Sequence, residues 1–391
     1  MRNNISKIFL SRFGTAGEQY ASSGRINLIG EHTDYNGGFV FPGAIDKCII
    51  AEIRPNGTGE KTGKELVRAY SIDVVNENQY VEFGLNEEDA PRESWARYIF
   101  GVCREIAKRG GVIKGFDTVV AGNVPLGAGM SSSAALESTY AFALNTIFNL
   151  GIDKFELARI GQSTEHNYCG VKCGIMDQFA SVFGKKGHLI RLDCRSLEYK
   201  YFPFDPKGYK LVLLDSAVKH ELASSAYNKR RESCERAAKA IRENGHPQVE
   251  FLRDATMRML DEVREKITAE DYMRAEYVIG EVQRVLEVCE ALEKGDYETV
   301  GAKMYETHYG MSRQYEVSCR ELDFLNDVAR ECGVTGSRIM GGGFGGCTIN
   351  LVKEERYDSF IATAREKYKA EFGREPKVYE VVISDGARKL E

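Results

Sequence analysis

A dense run of polar residues between two predicted strands constrains this chain more than any other feature. From Gly24 to Gly38 the sequence reads GRINLIGEHTDYNGG, with one arginine, two carboxylates, a histidine, a tyrosine and two asparagines within a dozen residues. An apolar patch from Ile26 to Ile29 interrupts them. Polar side chains this close together are suited to binding a ligand covered in hydroxyl groups. We therefore expect a small polyol or sugar to bind here.

The size and charge of the chain limit the remaining possibilities. At 391 residues it exceeds the length of about 250–300 residues at which single cores stop growing, which predicts two domains. A formal charge of −5 provides no basic surface for nucleic acid or anionic membrane. The N-terminus lacks the apolar stretch of a secretory signal, and no run approaches the roughly 20 apolar residues of a membrane span. We expect neither a nucleic-acid nor a membrane partner.

The cysteines predict a reducing compartment. Ten of them are scattered between Cys48 and Cys347 without framework spacing, which is typical of reduced, buried thiols in a cytoplasmic protein. His166, Cys169 and Cys173 come nearest to a metal-binding pattern. They lack the paired spacing of zinc sites and a clear fourth ligand, so structural thiols are the favoured interpretation.

The order of predicted elements favours an α+β fold with two lobes. Strands and turns fill the chain from Arg25 to Phe83, and a helix over 94–109 and a strand over 116–121 follow. Helices are predicted over 132–149 and 154–168, strands from His188 to Leu214, and helices over nearly all of 224–332. The C-terminal section alternates strand, glycine turn, strand, helix and strand.

Composition shifts where Pro203, Pro206 and Gly208 cluster. We place a boundary there, between an N-terminal lobe of residues 1–207 and a C-terminal lobe of residues 208–391. We expect mixed sheets packed with helices, and a site between the lobes.

A glycine- and serine-rich segment is predicted to bind phosphate. Residues 123–135, NVPLGAGMSSSAA, follow a predicted strand and open a helix. Glycines let the backbone approach an anion, and serines at a helix start join free N–H groups and the positive dipole end. A serine hydroxyl there can also meet Mg²⁺. The segment is not a Walker A loop, because no Gly-Lys-Ser/Thr follows, and by itself it also fits a plain turn with a serine cap.

A second glycine run, GGGFGG over 341–346, formally satisfies the pattern G-x-G-x-x-G. A strand is predicted after it rather than a helix, which argues against a dinucleotide site. Such a run between two strands is either a tight hairpin or a thin wall that another backbone or a ligand approaches closely.

Two acidic residues are candidates for chemistry. Asp177 follows a glycine-containing turn at a predicted helix start, and Glu165 lies twelve residues earlier on a different predicted helix. Taken alone, Asp177 also fits an acid that complements a helix dipole, and Glu165 fits a solvated helix face.

Together these segments resemble the galactokinases, within the superfamily of galacto-, homoserine, mevalonate and phosphomevalonate kinases. Gly24 to Gly38 is similar to the galactokinase signature, and Pro125 to Ala135 to the ATP loop of the superfamily. Gly170 to Phe179 is similar to the galactokinase catalytic segment, and Gly341 to Gly346 to the third glycine motif. Ala226 to Arg231, AYNKRR, resembles a further segment in the second lobe. All five occur in the order of the family, over nearly the whole chain.

The resemblance implies roles for individual residues. Asp177 would face the anomeric hydroxyl as a base that orients it, with Arg25 beside it stabilising the transferring phosphoryl group. The sugar would be bound by Glu31, His32, Thr33, Asp34, Gly174, Asp177 and Tyr227. The ATP phosphates would be wrapped by Gly127, Ala128, Gly129, Met130, Ser131, Ser132 and Ser133, with Ser71 near the nucleotide. Ser133 and Glu165 would be the Mg²⁺ positions.

The implied activity is ATP-dependent phosphorylation of the C1 hydroxyl of galactose to galactose 1-phosphate, the entry step of galactose catabolism. The implied partners are galactose and ATP, for a protein that acts as a monomer. Alternatives are a kinase for N-acetylgalactosamine or another sugar, a non-catalytic sugar sensor, and a homoserine- or mevalonate-type kinase, which would not explain the segment GEHTDY. One departure is Ser22-Ser23-Gly24, where the family usually has Ala-Pro-Gly; it restores a backbone N–H and removes no functional group.

Overall fold

The computed structural model describes residues 1–218 and 223–391, and mixes α-helices with three antiparallel or mixed sheets. The α-helices α1 to α12 span, in order, Arg2–Phe13, Thr58–Thr62, Ser94–Lys108, Ser132–Ile147, Lys154–Thr164, Met176–Phe183, Ala223–Glu243, Met257–Glu262, Ala269–Glu293, Tyr297–Arg313, Arg320–Glu331 and Glu354–Phe372. The strands β1 to β13 span Glu18–Asn27, Phe39–Val40, Pro42–Pro55, Leu66–Ser71, Tyr80–Gly84, Phe116–Gly122, His188–Asp193, Tyr199–Pro203, Tyr209–Asp215, Gly336–Ile339, Cys347–Lys353, Lys377–Glu380 and Arg388–Lys389.

The largest sheet has six strands in the order β13-β1-β3-β6-β4-β5. Its strand β4 alternates half-buried and buried residues, as a sheet with one face on a core requires. Helix α3 packs on this core through Trp95, Ile99, Val102 and Ile106, whose spacing of three to four residues puts them on one face. The apolar pattern that predicts helix 94–109 is therefore the pattern that packs.

Strand β1 reaches the phosphate loop because of one glycine. The register between β1 and β3 shifts between Ser23 and Arg25. A Cβ atom on Gly24 would lie 2.5 Å from the carbonyl oxygen of Met130, so a larger residue could not approach the loop this closely. The Arg25 backbone N–H donates to that same oxygen at 3.1 Å. The segment that carries Arg25 is thus fixed against the start of α4.

The second half of the chain forms its own sheet, β10-β11-β9-β12, while β2, β7 and β8 form a third. Helices α11 and α12 pack on one side of the four-stranded sheet through a cluster that includes Leu325, Phe360 and Tyr368. The sheets therefore divide near residue 207, except that β13 returns to pair with β1. The lobe boundary itself stays a prediction.

Most predicted elements are present. The helix expected over 154–168 differs: the α-helix ends at Thr164, and Glu165–Cys169 form a π-helical turn that Gly170 closes in a left-handed conformation. Among the described residues, no helix combines the length and apolar character needed to cross a membrane.

Candidate active site

The phosphate loop lies between β6 and α4, as the sequence predicts. Ser131, the residue before α4, has a positive φ of 56°, a conformation that costs non-glycine residues about 1–3 kcal/mol. The Ser131 hydroxyl donates to Oδ2 of Asp177. Ala128 and Met130 are fully buried and serve the loop through their backbone. The strained turn therefore directs the Ser131 side chain at the candidate catalytic acid.

Arg25 and Asp177 form a bidentate ion pair. Arg25 Nε donates to Asp177 Oδ1 at 2.8 Å, and Arg25 Nη2 donates to Asp177 Oδ2 at 2.9 Å. A third guanidinium nitrogen, Nη1, donates to the carbonyl of Gly129 in the loop. The Arg25 side chain is 5% exposed while that of Asp177 is 30% exposed. The structure thus brings Arg25, Asp177 and the serine-rich turn together, and leaves the carboxylate open on one side.

Asp177 lies in the first turn of α6, where its charge meets the positive end of the helix dipole. The expectation from sequence alone, an acid at a helix start, is therefore correct locally. The pairing with Arg25, 152 positions away, is what that expectation misses.

The C-terminal glycine run packs against the phosphate loop. It connects β10 and β11 as a hairpin, so both interpretations of the run apply. A Cβ atom on Gly341 would lie 3.4 Å from the carbonyl oxygen of Gly129, and one on Gly346 would lie 3.5 Å from the backbone of Ala128. Two glycine-rich segments that are far apart in sequence form one wall of the site.

Ser133 and Glu165, the two positions that the resemblance assigns to Mg²⁺, are neighbours in the structure. The Ser133 hydroxyl lies close enough to the Glu165 carboxyl to lower its pKa. Burial raises the pKa of Glu165 to about 7, against the lowering by Ser133, and the Asp177 charge raises it further. Sequence analysis missed a third acid here. Glu137 on α4 is fully buried, Gln178 Nε2 donates to its Oε2 at 3.1 Å, and its Oε1 has no hydrogen-bond partner among the described residues.

The only sequence signal for Glu137 is an acid among the small and apolar residues of α4. Burial, and then the charge of Glu165, raise the pKa of Glu137 well above its usual range. Glu137 is completely buried, whereas 7% of Glu165 is exposed.

A cavity of about 400 Å³ opens beside the loop. Ser71 at the end of β4 lines it together with Ser132 and Ser133, and its other walls are largely apolar, including Ile49, Val74, Trp95, Leu126 and Leu136. Apolar walls with a few hydroxyls are suited to a flat heteroaromatic ring and its ribose. Ser71 lines this cavity, and its place near a nucleotide stays a prediction.

The signature segment after β1 is held by the second half of the chain. Glu31 Oε1 accepts from Arg338 Nη1 at 3.0 Å and from the backbone N–H of Gly341 at 2.9 Å. Tyr277 donates its hydroxyl to the Glu31 carbonyl at 3.1 Å. Glu281 accepts from the backbone N–H of Gly30 at 2.9 Å. Sequence analysis missed Arg338, Tyr277 and Glu281, because no local pattern separates them from the other polar residues of their elements.

His32 and Thr33, which are expected to contact the sugar, form hydrogen bonds with other groups of the protein. His32 Nδ1 accepts from the Tyr35 hydroxyl at 2.8 Å and Nε2 donates to the Gly342 carbonyl at 3.2 Å, an assignment that satisfies both atoms. Burial lowers the pKa of His32 to about 3, so the ring is neutral. Thr33 is fully buried, and its hydroxyl lies 2.6 Å from the Phe39 carbonyl. Thr33 supports the loop in this structure, and its contact with a sugar stays a prediction.

Asp34, Gly174 and Tyr227 converge on one side of the site. A Cβ atom on Gly174 would lie 1.9 Å from Asp34 Oδ2, so a larger residue there would require this carboxylate to move. Burial, and then the charge of Asp177, raise the pKa of Asp34 to about 7. The Tyr227 ring on α7 lies 5.3 Å from that of His32 between centroids, and a Cβ on Gly342 would approach it at 3.3 Å. Elements from both halves of the chain therefore close around Asp34.

The fold and this site define a small-molecule kinase of the GHMP type. Residues 97–185 match the model of the GHMP kinases N terminal domain, residues 289–370 match that of GHMP kinases C terminal, and residues 7–55 match the galactokinase galactose-binding signature. A mevalonate kinase crystal structure shares this fold, with a TM-score of 0.63 and 18% identity over 94% of this chain and 99% of that one.

Relatives with higher sequence identity identify the family within this class. The galactokinase of Thermotoga petrophila is 39% identical over 94% of this chain and 98% of its own. That of Fusobacterium nucleatum is 39% identical over the full length of both. The crystal structure of Lactococcus lactis galactokinase complexed with galactose has a TM-score of 0.92 at 32% identity, covering 98% of each chain. The chain belongs to the galactokinase family.

Proposed function

We propose that this chain transfers the γ-phosphoryl group of ATP to the C1 hydroxyl of galactose, giving galactose 1-phosphate and ADP. One observation supports this most directly: Arg25 joins Asp177 to the phosphate loop, at the point where the galactose signature segment begins. An acceptor hydroxyl bound by the signature segment would then lie beside groups that suit phosphoryl transfer. The reaction is the entry step of galactose catabolism.

Asp177 would act by orienting the acceptor. Arg25 donates to both of its oxygens, and Ser131 donates to Oδ2. A carboxylate has about four acceptor positions, so one remains for the hydroxyl proton of the sugar. Phosphoryl transfer passes through a loose transition state, in which the hydroxyl loses its proton late and positioning dominates. A weak base that holds the oxygen in line is sufficient.

Arg25 would supply fixed positive charge. Its guanidinium is almost fully buried and is held by Asp177 and by the carbonyl of Gly129. Donors that are already oriented in a buried site need no reorganisation when charge develops on the transferring oxygens. The N–H groups of the loop at the start of α4 would act on the same oxygens.

The residues near the loop fit Mg²⁺. Ser133 and Glu165 offer a hydroxyl and a carboxylate side by side, and oxygen donors are what Mg²⁺ prefers. Within residues 1–218 and 223–391 no group of three or more histidine, cysteine or acidic residues is arranged to hold an ion. This agrees with an ion held by one or two protein oxygens together with substrate phosphates. When bound, it would neutralise phosphate charge.

Galactose would be distinguished from its epimers by buried acceptors. Asp34 and Glu31 are carboxylates in the signature segment, one half-buried and one buried. A carboxylate that loses its hydroxyl donor when an epimer turns that group away is left unpaired. All the groups named here come from one chain, and ATP and reduced cysteines are intracellular features. We therefore propose that a monomer acts in the cytoplasm, with lobes of residues 1–207 and 208–391.

Phosphorus NMR of a reaction with ATP, Mg²⁺ and galactose tests the proposal. We expect a sugar 1-phosphate resonance to appear as ADP accumulates, and little product with glucose under the same conditions. Galactose-independent ADP release, a phosphate on another hydroxyl, or equal use of glucose would contradict it. N-acetylgalactosamine as a third acceptor tests the sister activity.

A further inference from the structure

Arg338 is a buried cation with an unusual position. Its side chain is 0% exposed, although arginine is almost never fully buried unless it is paired. It lies on β10, at the strand end that leads into the C-terminal glycine run. The hydrogen bonds found for this side chain go to neither the phosphate loop nor the cavity beside it.

Those hydrogen bonds connect Arg338 to the signature segment. Nε donates to the Leu28 carbonyl at 2.9 Å, Nη1 donates to Glu31 Oε1 at 3.0 Å, and Nη2 donates to the Asn27 carbonyl. Nη1 also reaches the carbonyl of Ile339. The planar fork of one guanidinium therefore fixes two backbone carbonyls and one carboxylate of a segment about 310 positions away.

The hydrogen bonds on the Glu31 carboxylate are asymmetric. Arg338 Nη1 and the backbone N–H of Gly341 both donate to Oε1. With Oε1 held by two donors, the carboxylate has one orientation, and Oε2 is the oxygen that remains for a hydroxyl group. The orientation of this acceptor is thus decided on β10 and in the glycine run, outside the signature segment.

We propose that Arg338 is a positioning residue for the sugar: it holds Glu31 so that Oε2 accepts from one hydroxyl of the substrate. The inference rests on the proposed function, since it concerns how that substrate is bound. Arg338 acts through Glu31 and does not contact the sugar. Lysine cannot replace it, because a single ammonium cannot hold both Glu31 and the carbonyl of Asn27 in the geometry of the fork.

The test compares galactose with its singly deoxygenated analogues. In the wild type, removal of the hydroxyl that Glu31 accepts should weaken binding more than removal of others. In Arg338→Lys the KM for galactose should rise about tenfold or more, the loss expected for a hydrogen bond to a charged group, while the KM for ATP stays within twofold. The penalty for that one missing hydroxyl should disappear in the variant, and the penalties for the remaining hydroxyls should persist.

A matched control separates this role from general loosening of β10. Asn326 is buried and its side-chain amide donates to the carbonyl of Ser337, next to Arg338, at 2.8 Å. Asn326→Ala should lower thermal stability without changing the KM for galactose. The inference is overturned if Arg338→Lys leaves that KM within twofold, or if it reduces the penalty of every missing hydroxyl equally.

A double-variant comparison decides the case where Arg338→Lys does not fold. Glu31→Gln and Glu31→Gln/Arg338→Met leave no unpaired acid opposite a missing cation. If Arg338 acts through Glu31, the two should have the same KM for galactose within twofold; a further tenfold rise in the double variant would overturn the inference. Absence of galactose phosphorylation by the wild type would instead refute the proposed function, so the two failures are distinct.

Discussion

The phosphoryl-transfer side of the site and the sugar side are built in opposite ways. Arg25 and Ser131 both donate to Asp177, and all three lie before residue 208. The part of the signature segment from Asn27 to Glu31 is instead bonded to residues after 208, among them Arg338 and Glu281. The hydrogen bonds on Asp177 thus come from the first half of the chain, whereas the shape of the loop from Asn27 to Glu31 is imposed from the second half.

Many polar side chains of the signature form hydrogen bonds within the protein. Both ring nitrogens of His32 and the hydroxyl of Thr33 are used inside the protein, and one Glu31 oxygen is occupied. What remains is Asp34 and the second oxygen of Glu31. Much of the motif therefore determines the loop conformation, and we propose that the smaller part that remains recognises the sugar.

The largest effect is expected where the reacting groups meet. Asp177→Asn should reduce turnover at least about 100-fold, because the acceptor loses its orienting base, while the KM for galactose changes less than about threefold. Arg25 would keep one acceptor oxygen on the asparagine side chain, so we expect the phosphate loop to keep its conformation. ADP release under saturating substrates measures this. Asp358→Asn, an exposed acid on α12, is the control, and turnover of the Asp177 variant within threefold of wild type would refute the role.

Gly174→Ala should affect the sugar side instead. A Cβ atom would lie 1.9 Å from Asp34 Oδ2 and would force the carboxylate away. A displacement of about 1 Å at a binding group can lower efficiency by up to about 100-fold, so we expect the KM for galactose to rise at least about tenfold with the KM for ATP unchanged. Lys172→Ala, exposed on the same loop, is the control. An unchanged KM would mean that Asp34 does not bind the sugar.

The local parts of this site were predictable from the sequence, and the long-range parts were not. The phosphate loop is defined by glycines and serines at a strand-to-helix junction, which is a local signal. The π-helical turn at Glu165 was missed because apolar spacing does not separate it from an α-helix; the difference is a bond from the Gly170 N–H back to the Glu165 carbonyl. Contacts such as Arg338 with Glu31 join residues 307 positions apart, and one sequence carries no record of such pairs.

The resemblance to a known family supplied what local patterns could not. It brought Arg25 and Asp177 into one site before any distance was known. It also carried Thr33 into the sugar-binding set, where the structure shows a buried support. Similarity of a motif transfers the positions of residues, but whether a side chain faces the ligand or the scaffold depends on packing from elsewhere in the chain.

The pH dependence of stability should distinguish Asp34 from ordinary surface acids. Burial raises the pKa of Asp34 from 3.8 to about 7, so between these values the folded protein holds a proton that the unfolded chain has lost. Its contribution to stability therefore falls as the pH rises through this window. Asp34→Asn should stabilise the protein at pH 8 by on the order of 1–3 kcal/mol, and much less at pH 4. Denaturant midpoints at both pH values measure this, with Asp358→Asn as control. Equal effects at the two pH values would contradict it.

The smallest effect concerns the two serines that replace the usual Ala-Pro before Gly24. Ser23 donates its hydroxyl to the Asp385 carbonyl at 2.7 Å, and Ser22 donates to the Ser181 carbonyl at 2.9 Å. These bonds tie the strand that carries Arg25 to the C-terminal segment and to α6, which carries Asp177. Ser23→Ala should lower the unfolding free energy by about 1 kcal/mol, and turnover should stay within about twofold because Gly24 and the Arg25 N–H still fix the loop. A loss of turnover comparable to that of Asp177→Asn would show that the cluster of Arg25, Ser131 and Asp177 also depends on a distant part of the chain.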